Sequence, residues 1–204
     1  MISLHIVFYL MILFFAMIGY LRGWQKEVIA MTGLVASIAA LSIFGARVLN
    51  IPSATADPNL GLEAAVQASK FRFWVQAFWH CLVAFFSYQV VTRFADQVSG
   101  GRIGERVRAN IEKRIVGALI GAVNGYLFVG GLWAFLEYDI TPGGYVQLPP
   151  GVQYAFFPVI TRPEPGTTAM NIATRLLPLT ESVDPTLWLI FFFIAFFVVI
   201  IALI

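Results

Sequence analysis

The chain has few groups with which to do acid–base, thiol or metal chemistry. Cysteine occurs once, at Cys81, which rules out a disulfide within the chain. Asp, Glu, Lys and Arg make up 12% of the 204 residues against 59% hydrophobic residues, far below the roughly one-quarter charged content of soluble domains. The long apolar runs contain no Asp or Glu, which argues against ion-coupled transport and intramembrane aspartyl proteolysis together. A Walker-type phosphate loop, a Gly-x-Ser-x-Gly elbow, a His-Glu-x-x-His zinc motif and metal-type Cys/His spacing are all missing. Catalysis, a metal and a cofactor are therefore not expected. No Lys or Arg precedes the first apolar run and no small-x-small site ends it, so it reads as a retained helix rather than a signal peptide.

What remains is apolar sequence in lengths suited to a bilayer. Five windows, near 4–21, 28–46, 73–92, 115–136 and 186–204, approach the ~20 residues that a helix needs to cross hydrocarbon. The expected fold is all-α, an integral membrane bundle of five transmembrane helices. It divides into a four-span core (1–137), a Pro-rich extracytoplasmic loop (138–185) and a C-terminal span (186–204). Spans one and two are separated only by the polar break around Arg22 to Glu27. They are expected side by side and antiparallel, joined by a six-residue turn.

Orientation follows from basic flanks, which favour the cytoplasmic side. Arg22 and Lys26 lie in the first turn, and Arg93, Arg102, Arg106, Arg108, Lys113 and Arg114 follow span three. Both segments are expected inside, which places the N-terminus and the 138–184 loop outside and the C-terminus in the cytoplasm. The segment 99–115 repeats Ile103, Val107, Ile111 and Ile115 on one helical face and reads as a basic amphipathic helix. Its Arg102, Arg106, Arg108 and Lys113 are candidate contacts to anionic lipid, at about 1 kcal/mol per basic residue near the surface. Topology alone also accounts for these charges, and nothing beyond them suggests nucleic-acid binding.

Two connections have some structure of their own. Leu60 to Ser69 is rich in helix formers and suggests a short surface helix. Within the outer loop, Thr167 to Leu177 suggests an interfacial helix capped by Thr167 or Thr168, with Met170, Ala173, Leu176 and Leu177 on one face. Asp184 and Pro185 supply an N-cap and first-turn proline for the last span. That span is uniformly apolar and suits the bundle periphery.

His80, in the middle of span three, is the sharpest candidate for chemistry, because an ionisable group at membrane depth is costly. It has the makings of a proton relay or a haem or pigment ligand, but no second ligand accompanies it. The plainer reading is a neutral hydrogen bond to Asn124, Gln89, Ser87 or a backbone carbonyl. Gly117, Gly121 and Gly125 form a smooth stripe on span four, the kind that lets helices approach closely in lipid. Packing within the chain is favoured over dimerisation. Arg22 ends one helix and Glu27 starts the next, so each charge suits the helix dipole beside it, and the two are placed to pair across the turn.

Gly19, Arg22, Gly23 and Glu27 at the first junction, with Arg114 ahead of Gly117, Gly121 and Gly125, give the chain a resemblance to the colicin V production protein family over about residues 4 to 137. It departs from that family's pattern in Lys113, Asn124, the fifth apolar span and the long outer loop. The resemblance implies a bacterial inner-membrane protein with no established reaction, serving secretion or envelope maintenance. A scaffold or accessory role is the leading expectation, with the lipid bilayer and other membrane subunits as partners. Two alternatives stand: a small accessory subunit of a respiratory or photosynthetic complex, and a small transporter or channel.

Overall fold

In the computed structural model, residues 4–47, 62–91, 93, 97, 111–141 and 143–203 are described. The elements run α1 (Leu4–Arg22), α2 (Trp24–Phe44), α3 (Leu62–Phe85, continued by a π-helical turn Phe86–Val91), α4 (Ile111–Glu137), β1 (Tyr138–Thr141), β2 (Gly144–Gln147), α5 (Thr168–Arg175) and α6 (Pro185–Leu203). Among the described residues three helices, α1, α2 and α4, are long and apolar enough to cross a membrane. The chain is a mostly helical membrane protein. α3 is 24 residues long but carries Arg72, Gln76 and His80, and the apolar stretch of α6 ends at Ile201.

The first joint is tighter than a six-residue turn. Gly23 alone separates α1 from α2, at φ 83, a conformation that a Cβ would strain. Its N–H donates to the Gly19 carbonyl at 2.9 Å and its carbonyl accepts from Glu27 N–H at 3.3 Å, so helical bonding runs up to the joint on both sides. Trp24 to Glu27 look like a loop in sequence because they are polar, yet they form the first turn of α2.

The partner of α1 also differs from expectation. α1 lies chiefly along α4 and makes far less contact with α2. A Cβ on Gly19 would run into the Gly117 carbonyl, one on Gly121 would lie 3.0 Å from Gly19 Cα, and one on Gly125 would lie 2.9 Å from Ile12 Cα. The glycine stripe is thus consumed inside the chain, with the two backbones in contact. In lipid such close packing takes the place of the hydrophobic drive that water would supply.

Directions follow from these contacts. α2 and α4 run parallel from the Gly23 joint, here the hairpin end, towards the β1–β2 sheet end, with α3 antiparallel to both. α6 starts at the sheet end, where Pro185 lies against Gly144, and rests on α2 along Trp188, Phe192 and Ala195. Most of its other side chains face outwards, in keeping with a peripheral helix.

α3 is amphipathic with its polar side inwards. Its buried residues, with those of the π turn, are Arg72, Gln76, Ala77, His80, Ala84 and Ser87, whereas Phe71, Trp74, Phe78, Phe85 and Phe86 are exposed. Lipid accounts for this arrangement, since it solvates the aromatic face that water would drive inside. Residues 62–69 form the first turns of α3 rather than a separate surface helix. Arg102, Arg106 and Arg108, and the amphipathic helix expected around them, lie outside the described residues. Lys113 lies in the first turn of α4.

Beyond α4 the chain folds a two-stranded antiparallel hairpin, pairing Tyr138 with Gln147 and Thr141 with Gly144. Thr167 caps the start of α5, its hydroxyl accepting from Met170 N–H at 3.2 Å. It buries Ala169, Ile172 and Ala173, leaving Leu176 exposed. Asp184 Oδ1 accepts from Thr186 N–H at 2.8 Å at the head of α6, and that bond holds its carboxyl below the usual carboxylate range.

Candidate functional site

Three polar groupings occupy the inside of the bundle. At the hairpin end Glu27 is fully buried and Arg22 donates to its Oε1 at 2.9 Å. The same carboxylate accepts from Tyr88 Oη at 3.1 Å and from Asn124 Nδ2 at 2.8 Å. Arg22 also donates to the Tyr88 carbonyl at 3.1 Å, and its guanidinium lies 4.6 Å from the Tyr88 ring centroid. One carboxylate thus ties together α1, α2, α4 and the π turn. Tyr88 is turned inwards to this cluster. At the same end of the bundle, the Arg114 guanidinium lies 5.7 Å from the Tyr20 ring centroid, another link between α4 and α1.

At the sheet end Glu137, the last residue of α4, is fully buried against Arg162. Arg162 Nε donates to Glu137 Oε2 at 3.1 Å and Nη2 to Oε1 at 2.5 Å. Its remaining N–H groups go to the carbonyls of Leu148 (2.8 Å), Pro149 (2.6 Å) and Val152 (3.0 Å), so the whole guanidinium is satisfied. Tyr154 Oη donates to Glu137 Oε2 at 2.8 Å while accepting from Trp133 Nε1 at 3.0 Å, and Gln147 Nε2 reaches Glu137 Oε1 at 2.8 Å. Burial, then the neighbouring Glu137 carboxylate, pushes the Tyr154 phenol above its ordinary range. Alongside, Arg72 of α3 forms a buried ion pair with Asp139 of β1.

The third grouping lies between these ends. His80 Nδ1 is 2.9 Å from Ser37 Oγ on α2, a partner the sequence did not suggest among Asn124, Gln89, Ser87 and a backbone carbonyl, and the backbone of Leu127 and Phe128 lies near the ring. Its ring stacks on Phe128 at 5.5 Å and meets the edge of Phe135 at 5.7 Å. A Cβ added at Gly131 would lie 3.1 Å from Nε2, so a glycine on α4 makes room for the ring.

Sequence reasoning identified Arg22, Glu27 and His80 but treated acids as absent from the interior. Glu27, Glu137 and Asp139 are all fully buried, at or next to helix ends. Arg162, Tyr154 and Glu137 meet across as many as 25 residues, a separation that leaves no periodic signal. Arg72, Gln76 and His80 did carry one, a spacing of four along a single helix, but Arg72 falls just outside the 73–92 window. Among the described residues no three His, Cys, Asp or Glu side chains come together as a metal site.

No curated protein and no solved structure matches the chain. Residues 4–144, which hold the Gly23 joint, the glycine stripe, the His80 site and β1, match the family model described as Colicin V production protein, and the chain belongs to that family.

Proposed function

We propose that the protein spans the bacterial inner membrane five times, with its N-terminus outside and its C-terminus in the cytoplasm, and acts without catalysis as a scaffold or accessory factor in secretion or envelope maintenance. The observation that supports a holding role is how the Glu137–Arg162 cluster uses its charges. Arg162 spends its N–H groups on Glu137 and three backbone carbonyls, which fastens the outer segment to the end of α4. Ionic groups so completely paired serve geometry, not turnover. The Arg22–Glu27 cluster does the same at the other end.

Cysteine labelling tests the orientation. With Cys81 replaced, a cysteine at the exposed Val159 reacts with an impermeant maleimide in intact cells; reaction only after lysis inverts the topology. Mild detergent extraction followed by native mass analysis tests the role, with stoichiometric secretion or envelope proteins as the expected outcome. Respiratory or photosynthetic subunits in their place would move the protein into those complexes. The inward polar face of α3 favours a second reading, a small transporter or channel.

A further inference from the structure

The polar line inside the bundle is unfinished in its middle. Gln76, fully buried, has no hydrogen-bonding partner among the described residues for either amide atom. Asn124 Oδ1 has none, and His80 Nε2 meets none in bonding geometry although the backbone of Leu127 and Phe128 is near. A buried polar group left so is costly, and folded proteins keep few of them. Here they fall in one file.

Arg72, Gln76 and His80 follow one another at intervals of four on one face of α3. Ser37 meets His80 from α2, and Ser87 continues the face in the space that Gly33 leaves open. Asn124 then reaches Glu27. From Arg72 to Tyr88 the helix rises about 24 Å, most of a hydrocarbon core of about 30 Å. Arg72, Asp139 and Tyr145 stand where the file meets the sheet end, beside the Glu137–Arg162–Tyr154 cluster, and Arg22, Glu27 and Tyr88 stand where it meets the hairpin end. Intramembrane polar groups that face a bundle interior mark ion and proton pathways.

We propose that this file is a proton relay through the bundle, in which water molecules complete the hydrogen bonds of Gln76, His80 and Asn124 and protons pass between the Asp139 end and the Glu27 end. The packing selects the proton over larger cargo. Phe128 and Phe135 press on the His80 ring, which leaves its two nitrogens as its polar edges, suited to passing a proton and not to shedding the shell of a hydrated metal cation. The nitrogens face opposite helices, Nδ1 towards Ser37 of α2 and Nε2 towards Gly131 of α4. A proton arriving at Nε2 makes an imidazolium, the Nδ1 proton leaves to Ser37 Oγ, and the serine passes its own proton onward. The ring resets by turning about its side-chain bonds so that its N–H faces Ser37 again, with no further proton exchanged. One proton enters and one leaves, with no oxidant or co-reactant.

The relay goes beyond the scaffold reading, and its failure would leave the labelling and co-purification results standing. The test is the full chain in liposomes that enclose a pH-sensitive dye, with valinomycin and potassium to clamp the potential. A pH step should decay about tenfold faster than in protein-free liposomes, and His80→Phe and Gln76→Leu should return the rate to the protein-free level. Gly131→Ala should slow it too by crowding Nε2, and it decides the matter if the other variants are not monodisperse and helical. A wild-type rate equal to that of protein-free liposomes, or folded variants that conduct like wild type, overturns the proposal.

Discussion

Asn124 Nδ2 donates both to Glu27 Oε2, at 2.8 Å, and to the Glu27 main-chain oxygen, at 3.0 Å, so α4 is fastened to α2 through the residue that also holds Arg22. The carboxylate has partners on every side. Arg22 is the cation bonded to it, with a side chain 22% exposed.

Arg22→Ala should therefore destabilise the bundle by about 3–5 kcal/mol, because it leaves a buried carboxylate without its counter-charge. Glu27→Gln should cost less, since the amide keeps a carbonyl for Asn124 and Arg22 can turn to solvent. Thermal melting in one detergent would rank the two, and the reverse order would refute the clamp.

The Glu137–Arg162 pair lends itself to a double-mutant cycle. Arg162→Leu alone and Glu137→Leu alone should each cost about 3–5 kcal/mol, and the double variant clearly less than their sum. Limited proteolysis between residues 148 and 165 should follow the same order. Additive losses would show that the two charges act independently.

Glycine substitutions should divide by environment. Gly121→Leu would drive a side chain into the Phe15 carbonyl and Gly19 Cα and part α1 from α4, at a cost of about 1–3 kcal/mol or more. Gly151→Ala meets nothing within 4 Å and bears only the strain of φ 85, about 1–2 kcal/mol. Denaturation in mild detergent, with a crosslink between α1 and α4 as a second readout, would tell them apart. Loss of the crosslink is expected for Gly121→Leu alone.

Alkaline pH should loosen the sheet end. The folded state holds the Tyr154 phenol neutral, whereas an unfolded tyrosine ionises near about pH 10. The unfolded chain thus binds fewer protons above that pH, so the stability from Tyr154 is whole below about pH 10 and falls as pH rises past it. Tyr138 and Tyr145 are shifted in the same direction. Tyr154→Phe should make the fall in melting temperature between about pH 9 and about pH 11 shallower, while lowering stability at neutral pH through loss of its bonds to Glu137 and Trp133.

The parts of the fold that sequence makes visible are those whose cause is local. Helix periods, the Thr167 cap, the Asp184–Pro185 start and the small-residue spacing of Gly117, Gly121 and Gly125 all lie within a few residues of what they shape. The partner of the glycine stripe does not, and Gly19 stands nearly a hundred positions away. Polarity also misled at the first joint, where Trp24 to Glu27 read as a turn although Glu27 lies within α2 and bonds to Arg22, Tyr88 and Asn124. The strands were invisible for a similar reason. Tyr138 to Thr141 and Gly144 to Gln147 are short, and β1 follows Glu137 without a break.

The inward polar face of α3 bears on how the protein enters its membrane. Alone in lipid, this helix would present Arg72, Gln76 and His80 to hydrocarbon, so it makes a poor solitary insertion substrate. α2 brings Ser37 and α4 brings Gly131 to cover that face, and α4 is synthesised after α3. Stable residence of α3 in the bilayer must therefore wait for α4, and the two should leave the insertion machinery as a pair, docking onto an α2 already in place.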